Sequence, residues 1–216
     1  MLTLGLDTSE ALGGVALCRD GALLVEVALV EPLRHAEALL PAVERLLSEC
    51  GVEKKAIELV CVNRGPGSFT GLRIGLATAK GLCQALEIPL VGVDGTMALR
   101  ARLGAGGAVC AVVPCRLDLV YACWYLPRRK ASPIHVTSRS ALLERISSEA
   151  KPLWIVGSAA EPMRQDLEKM PWVKVAAAGM NRPSPEWVAR LGEEAYREDE
   201  LYKLEPAYVD RVMGEA

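Results

Sequence analysis

The chain has 216 residues, with 25 Lys and Arg against 27 Asp and Glu, and 51% of its residues are hydrophobic. Half of the chain can therefore be buried, which excludes a disordered tail or linker and suits one large domain or two of about 100 residues. The formal net charge of −2 provides no global electrostatic footprint for nucleic acid, although it leaves room for a local basic patch.

The seven cysteines form no CxxC pair, and only His35 and His135 accompany them. Zinc sites need paired ligands at short spacing, so no metal site is predicted. Most of the cysteines lie in apolar strings, which indicates buried free thiols and a reducing compartment. The start of the chain lacks the pattern of a signal peptide, and the longest apolar stretch, 104–115, is too short to span a membrane. We expect a soluble, cytoplasmic protein without membrane contact.

The first 94 residues predict the order strand, strand, strand, helix, strand, helix, strand. Asp20-Gly21 separates two apolar runs and is typical of a type I′ hairpin turn, which needs positive φ at both positions. Antiparallel strands followed by crossover helices indicate a mixed sheet with helices packed on it. The predicted strands are 2–7, 14–19, 22–30, 58–63 and 89–93, and the predicted helices are 36–50 and about 70–86.

The second half has a similar pattern of elements without a sequence repeat. Its best basic cluster, Pro127–Pro133, is interpreted as a charged hairpin tip rather than an RNA-binding segment. The predicted strands are 108–114, 120–126, 134–136 and 153–156, and the predicted helices are about 138–150, about 159–169 and 184–198.

Asp7, Thr8 and Ser9 end the first predicted strand. A carboxylate followed by two hydroxyls at such a junction can hold a magnesium-bound water and accept phosphate contacts. The alternative is a polar turn in which the hydroxyls bond to local backbone.

The loop from Gly65 to Gly71 lies between a buried strand and the start of a helix, where free N–H groups and the helix dipole favour an anion. It is neither a Walker A loop nor a GxGxxG loop. The alternative is a tight loop in which Ser68 or Thr70 caps the helix. The candidate phosphate-site residues are Asp7, Thr8, Ser9, Gly65, Gly67 and Ser68.

Gly71, Gly75 and Ala79 form a line of small residues on the second predicted helix. Each internal Gly costs roughly 1 kcal/mol relative to Ala, so the line indicates close approach by a neighbouring helix or backbone. The sequence leaves open whether this neighbour belongs to the same chain or to a partner.

The string Gly65–Gly75, GPGSFTGLRIG, resembles a specific signature of the TsaB family (also called YeaZ) of the tRNA threonylcarbamoyladenosine pathway. The resemblance is dense over residues 1–100 and thinner to residue 212. Further matching segments are 4–9, 34–41, 79–82, 89–93 and 204–209.

The resemblance implies an α/β, actin-like ATPase (ASKHA) fold of the sugar-kinase and Hsp70 kind. Two related lobes would each have a mixed sheet packed by helices. We expect an N-terminal lobe over 1–102, carrying the partner helices, and a smaller C-terminal lobe over 103–216.

The resemblance also implies a non-catalytic scaffold or activator. It would pair with a TsaD-like transferase, joined by a TsaE-like ATPase, for N6-threonylcarbamoyl modification of adenosine 37 in tRNA, and tRNA would be reached through the complex. The chain would need no cofactor of its own. An ATP or ADP contact in the complex and a homodimer of the chain alone are both compatible with this role.

The main departure from the TsaD-like enzymes follows the strand at 89–93. Those enzymes carry a His-x-x-x-His metal motif there, whereas this chain has Gly95 and Leu99 at the two positions. Neither side chain can bind a metal, so the resemblance implies an inactive paralogue. A second departure is Pro114, in a turn where relatives often have Asp-Ala-Arg, which puts any polar role of that turn in doubt.

In the family, the partner contact resembles a helical bundle built from the helices at about 35–50 and 70–86. An interface of standard size buries ~800 Å² per partner, which two helices can supply. The implied interface residues are His35, Leu39, Leu40, Val43, Leu47, Gly71, Leu72, Gly75, Leu76 and Ala79.

Two other hypotheses are considered. The chain could act alone as an ATP-dependent phosphotransferase or ATPase that uses Asp7 and the loop 65–71. It could also be a glycoprotease-like peptidase, which older names of related proteins suggest, but the sequence offers neither metal ligands nor a defensible catalytic triad.

Overall fold

The computed structural model describes residues 1–30, 35–149, 151–182, 184–196 and 204–207. These residues divide into two compact units. The first comprises Met1–Ala98 together with the described residues from 184 to 207, and the second comprises Leu99–Arg182. Each unit contains one five-stranded sheet with both parallel and antiparallel neighbours.

The helices and strands follow one another along the chain as follows. Up to residue 103 they are β1 Leu2–Asp7, β2 Gly13–Arg19, β3 Ala22–Leu29, α1 His35–Glu49, β4 Leu59–Asn63, α2 Phe69–Leu86, β5 Leu90–Val93 and α3 Gly95–Leu103. After it they are β6 Val109–Pro114, β7 Leu119–Tyr125, β8 His135–Ser138, α4 Arg139–Glu149, β9 Leu153–Val156, α5 Arg164–Leu167, β10 Val173–Val175 and α6 Pro185–Ala195.

The first sheet has the order β3-β2-β1-β4-β5 and is covered on both faces. Alternate residues of its central strands enter two different cores. Leu4 and Val60 join the core formed with α1 and α2, whereas Cys61 joins the core formed with α6. Burial on both faces explains why β1 and β4 are almost continuously apolar.

Local signals set the ends of these elements. Asp20 and Gly21 have φ of 51° and 73°, which confirms the type I′ turn between β2 and β3. Gly51, with φ of 62°, follows α1, as expected for a helix stop. Glu87 ends α2 in the left-handed region and donates its N–H to the Cys83 carbonyl.

The second sheet has the order β10-β9-β6-β7-β8. One of its faces packs against α4 and α5, with Leu142, Ile146 and Leu167 fully buried. The opposite face packs against Leu99 and Leu103 of α3.

Three features of the chain differ from the sequence prediction. The predicted helix at 159–169 is a 3₁₀ segment, Ser158–Met163, followed by the short α5. Pro162 lies inside that segment and cannot donate a backbone hydrogen bond. Helix α3 and strand β10 were not predicted, because α3 has little amphipathic pattern and β10 has only three residues.

Helix α6 packs on the first sheet, although the predicted division places it in the C-terminal lobe, 103–216. Gly192 shows how close this packing is, because a Cβ there would overlap the sulfur of Cys61. At the start of the helix, Glu26 of β3 accepts hydrogen bonds from the Ser184 hydroxyl at 2.9 Å and the Glu186 N–H at 3.3 Å. The first unit is therefore built from two segments that are far apart in the sequence.

The seven cysteines are all free, and five of them are buried: Cys18, Cys61, Cys83, Cys110 and Cys123. This confirms the expectation of buried thiols. Burial raises the pKa of Cys18 to about 11 and that of Cys83 to about 12, so these two thiols stay protonated and unreactive.

Among the described residues, no helix is both long and apolar enough to cross a membrane.

Candidate functional site

The candidate phosphate-site residues meet at one edge of the first sheet. Strands β1 and β4 are parallel neighbours, so the residues that follow them emerge side by side. Asp7, Thr8 and Ser9 follow β1 and are at most 2% exposed. The loop that begins after Asn63, the last residue of β4, lies beside them.

Asp7, Ser9 and Asn63 form a buried hydrogen-bond network. Asp7 Oδ1 accepts from the Ser9 N–H at 2.9 Å and from the Ser9 hydroxyl at 2.7 Å. Asn63 Nδ2 donates to Ser9 Oγ at 3.0 Å, and Asn63 Oδ1 accepts from the Gly65 N–H at 2.9 Å. Asn63 thus joins the two segments, a role that the sequence did not reveal.

The environment of Asp7 disfavours the charged form of its carboxyl group. Its second oxygen, Oδ2, is buried and has no hydrogen-bond partner among the described residues. Burial raises the pKa of this carboxyl, although the hydrogen bonds from Ser9 and the nearby Asn63 side chain lower it in part. The site therefore favours a neutral carboxyl more than water does.

The loop after β4 is held by its own backbone and by the strand end. The Ser68 N–H donates to the Ser9 carbonyl at 2.7 Å, and the Gly95 N–H donates to the Gly65 carbonyl at 2.8 Å. Ser68 Oγ accepts from the Gly71 N–H at 3.2 Å, so Ser68 is the N-cap of α2. Both local alternatives, a polar turn and a capped tight loop, are therefore present.

The structure brings all six phosphate-site candidates together, but most of their polar groups bind one another. Of the six, only Ser68 is exposed, and Gly67 is half-buried. Phosphate binding here stays a prediction.

Open space lies beside the N-terminus of α2. A cavity of about 350 Å³ is bounded by polar and apolar groups, with His35 Nε2 3.0 Å from the Glu10 carbonyl oxygen at its wall. Glu10 is a wall residue that the sequence did not single out, although it follows the strand end directly. The lining residues are Glu10, Ala11, His35, Ser68, Thr70, Gly71 and Ile74.

The predicted partner-interface residues lie mostly inside the first unit. Leu40 is 47% exposed, but the other nine are buried in the chain's own core. They therefore do not form a surface in this structure, because α1 and α2 turn these faces toward their own sheet. The nine are His35, Leu39, Val43, Leu47, Gly71, Leu72, Gly75, Leu76 and Ala79.

The neighbour of the small-residue line is the end of β1. A Cβ at Gly71 would overlap the Thr8 carbonyl oxygen, and one at Gly75 would overlap Thr8 Oγ1. Thr8 Oγ1 in turn donates to the Gly71 carbonyl at 2.7 Å. The close approach inferred from the two glycines is real, and its partner is this chain's own backbone.

A second line of residues at the same spacing faces outward on α2, and the sequence pattern alone did not reveal it. Its side chains are mostly small, and the Arg73 guanidinium lies 3.7 Å from the centre of the Phe69 ring. We call this the outer line of α2. Its residues, all exposed, are Phe69, Arg73, Ala77, Gly81 and Ala85.

Gly95 and Leu99, the two positions where the resemblance would place metal ligands, are buried and apolar. Gly95 lies against the Asn63 amide, and Leu99 is fully buried. Within the described ranges, no group of three or more His, Cys, Asp or Glu side chains could hold a metal ion. Pro114 is exposed at the end of β6. Two parts of the family signature, Arg34 and residues 208–209, lie outside the described residues.

Sequence comparison finds similarity to proteins of the tRNA threonylcarbamoyladenosine pathway. The TsaD family, described as tRNA N6-adenosine threonylcarbamoyltransferase, matches residues 31–131. The tRNA threonylcarbamoyladenosine biosynthesis protein TsaB of Bacillus subtilis strain 168 is 28% identical over 100% of this chain and 97% of its own length.

Solved structures extend this likeness to the fold. YeaZ from Pseudomonas aeruginosa is 29% identical, with a TM-score of 0.76 over 96% of this chain and 99% of that one. A ROK family glucokinase from Streptomyces griseus is only 11% identical, with a TM-score of 0.51 over 90% of this chain and 100% of that one. The second comparison shows the fold alone, and it confirms the actin-like, sugar-kinase kind of architecture. Along nearly its whole length, the chain is therefore similar to proteins of the TsaB (YeaZ) family.

Proposed function

We propose that this chain is a non-catalytic scaffold and activator for N6-threonylcarbamoyl modification of adenosine 37 in tRNA, acting with a TsaD-like transferase. The observation that carries the proposal is the similarity to TsaB of Bacillus subtilis over 100% of this chain, because that protein is named for tRNA threonylcarbamoyladenosine biosynthesis.

The chemistry of the first unit supports a role without catalysis. Gly95 and Leu99 offer no metal ligand, and Asp7 is enclosed by hydrogen bonds to its own neighbours. A carboxylate that is 2% exposed cannot reach a metal ion or a nucleotide without a rearrangement of the loops around it. The transferase would therefore supply the reacting groups.

The outer line of α2 is the proposed contact for the transferase, in place of the buried residues inferred from the sequence. Small side chains at Ala77, Gly81 and Ala85 let a partner's helix approach closely, and Phe69, 54% exposed, provides an apolar anchor. Leu40 of α1 is another exposed apolar side chain of the first unit. The same surface could pair two copies of the chain when the transferase is absent.

The remaining parts of the proposal concern the wider assembly. A TsaE-like ATPase would join the pair in the cytoplasm, and this chain would need no cofactor of its own. An ATP or ADP contact in the complex would suit the cavity beside the N-terminus of α2, because Ser68, Thr70 and the helix dipole favour phosphate there.

Co-expression with the TsaD-like transferase of the same organism tests the proposal. Size-exclusion chromatography should show a heteromer, and mass spectrometry of tRNA nucleosides should show threonylcarbamoyladenosine only when both chains are present. The proposal fails if no heteromer forms and the transferase modifies tRNA equally well alone.

The substitution Ala77→Glu tests the outer line directly. A charged side chain in the centre of a closely packed interface should weaken the heteromer at least about 10-fold, because the carboxylate loses water without gaining a partner. Ala141→Glu, on the exposed face of α4, is the matched control and should leave the affinity unchanged. Isothermal titration with the transferase measures both. Equal affinities would exclude the outer line as the contact.

A further inference from the structure

The chain as a whole is nearly neutral, but its two units carry net charges of opposite sign. Residues 99–182 contain 13 Lys and Arg against 6 Asp and Glu, a net charge of +7. Residues 1–98 and 183–207 contain 11 Lys and Arg against 19 Asp and Glu, a net charge of −8. Such asymmetry within one chain is typical of proteins that contact a polyanion with one part only.

Strand register places several of these basic residues at one edge of the second sheet. Tyr125 of β7 pairs with Val109 of β6, which pairs with Trp154 of β9. The end of β7 therefore lies level with the start of β9, two strand spacings away, or about 10 Å. The loop that follows β7 and Lys151, which precedes β9, emerge from this same edge.

Hydrogen bonds order the loop after β7, which carries three of the basic residues. Trp124 and Ser132 clamp its base, because the Trp124 N–H donates to Ser132 Oγ at 2.9 Å and the Ser132 N–H donates to the Trp124 carbonyl at 2.9 Å. A turn hydrogen bond from the Arg129 N–H to the Leu126 carbonyl, 3.2 Å, shapes the tip. The basic side chains thus project from an ordered hairpin.

Four basic side chains at this edge are exposed and have no ion pair within the described ranges. We call them the basic edge: Arg128, Arg129, Lys130 and Lys151. Some other cations of the unit differ in this respect, since Arg164 and Lys169 are paired with neighbouring carboxylates. Exposed Lys and Arg side chains of this kind neutralise the phosphates of a nucleic-acid backbone.

The surroundings of the basic edge favour RNA over a lipid surface. A membrane-binding surface adds exposed apolar side chains to its cations. None of the exposed large hydrophobic residues in the described chain lies at 127–131 or beside Lys151, and the nearest in sequence, Leu117, lies at the opposite end of β7.

We propose that the basic edge of the second unit binds the phosphate backbone of the tRNA substrate. This inference rests on the proposed function for the identity of the RNA, and it goes further by giving this chain a direct part in holding it. It replaces the interpretation of 127–133 as a hairpin tip without an RNA contact, because the tip is ordered and lies level with Lys151. The separation of charge leaves the acidic first unit unsuited to RNA, so the second unit is the part that contacts it.

The test compares two triple variants with the same loss of charge. The first is Arg128→Gln, Arg129→Gln and Lys130→Gln, which keeps the length of the side chains at the hairpin tip. The control is Arg19→Gln, Lys54→Gln and Lys55→Gln, three exposed cations of the first unit. Fluorescence anisotropy measures binding of unmodified tRNA at several salt concentrations, by the full chain alone and by the chain with its transferase.

Wild type and control should bind tRNA alike, and the tip variant should bind at least about 10-fold more weakly, with the slope of log K against log salt reduced by roughly 2–3. Adding Lys151→Gln should lower the affinity further. Equal binding by the tip variant and the control overturns the proposal, as does the absence of any tRNA binding.

Two further measurements test whether the basic edge binds a different acidic surface. The first is binding to anionic phosphatidylglycerol vesicles, and the second is salt-sensitive self-association through the acidic unit of a second copy. If either depends on the tip residues while tRNA does not bind, the proposal is overturned. Failure to form a heteromer would count against the proposed function only, because binding of tRNA by the chain alone still decides whether the basic edge contacts RNA.

Discussion

At the scale of single residues, the carboxyl of Asp7 is the group whose environment is hardest to explain by stability. Its Oδ1 accepts two hydrogen bonds from Ser9, whereas Oδ2 is buried without a partner in the described structure. An unpaired charged oxygen in a protein interior destabilises the fold by several kcal/mol unless the group becomes neutral. Asp7 therefore reduces the stability of the fold, which is typical of a residue kept for function.

The substitution Asp7→Asn should change stability in a way that depends on pH. Burial raises the pKa of Asp7 in the folded state, so the unfolded chain loses this proton at a lower pH than the folded chain. Unfolding is therefore favoured increasingly as pH rises above the ordinary pKa of Asp, whereas an Asn has no proton to lose. Relative to wild type, the variant should gain about 1–3 kcal/mol in unfolding free energy between about pH 4 and pH 7.

Urea unfolding of both proteins at the two pH values measures this gain, and subtracting wild type removes the titration of all shared groups. Asp118→Asn, at an exposed carboxyl, is the control and should show little change. A difference between Asp7→Asn and wild type that is the same at both pH values would show that the buried carboxyl is not destabilised by its charge.

The sequence identified most of these residues but not their arrangement. Asp7 and Ser68 were recognisable from their places at a strand end and before a helix. Asn63 was not, because its role depends on β4 lying parallel to β1, which is a tertiary relation. Burial could not be predicted from the sequence either, and it encloses Asp7 and Ser9 in a hydrogen-bond network.

At the scale of elements, α2 shows why periodicity alone could not locate the surface. The buried line through Gly71 and Gly75 and the outer line through Ala77 and Gly81 both repeat every four residues. The sequence predicted a close approach correctly, but either line could have faced the sheet. Contact between the glycines and Thr8 decides the rotation of the helix.

Two alanine substitutions on α2 should have opposite effects. Gly75→Ala should destabilise the protein by about 1–3 kcal/mol, because the new methyl group overlaps Thr8 Oγ1, which a hydrogen bond to Gly71 holds in place. Gly81→Ala meets nothing within 4 Å and should stabilise the helix by up to about 1 kcal/mol. Denaturant unfolding compares the two. Similar effects of both substitutions would contradict the assignment of the buried and outer lines.

The elements that the sequence missed had weak local signals for physical reasons. Helix α3 lacks an apolar stripe, and its start depends on Asp94, whose Oδ1 accepts the Thr96 N–H at 2.8 Å. An Asp before a helix is a recognisable cap, so this start could have been found. The apolar spacing of 159–169 predicts a continuous helix, whereas Pro162 interrupts its hydrogen bonds and leaves a 3₁₀ segment.

At the scale of the whole molecule, the order of the elements along the chain does not predict which unit each element belongs to. Helix α6 follows the second sheet in sequence yet covers one face of the first, where Val188 and Ala189 are fully buried. Sequence proximity favoured placing α6 in the C-terminal lobe, 103–216. Only the match between its apolar stripe and the small residues Gly5 and Cys61 on the sheet could have indicated otherwise.

The substitution Val188→Asp tests this discontinuous first unit. A carboxylate in the core between α6 and the first sheet should destabilise that unit by about 3 kcal/mol or more. Ala195→Asp, exposed at the end of the same helix, should have little effect. Hydrogen exchange followed by mass spectrometry should show lost protection in β1 and β4, while β6 and β9 keep theirs, because local opening follows cooperative units of packing. Equal loss of protection in both sheets would mean that α6 stabilises the whole chain as one body rather than completing the first unit.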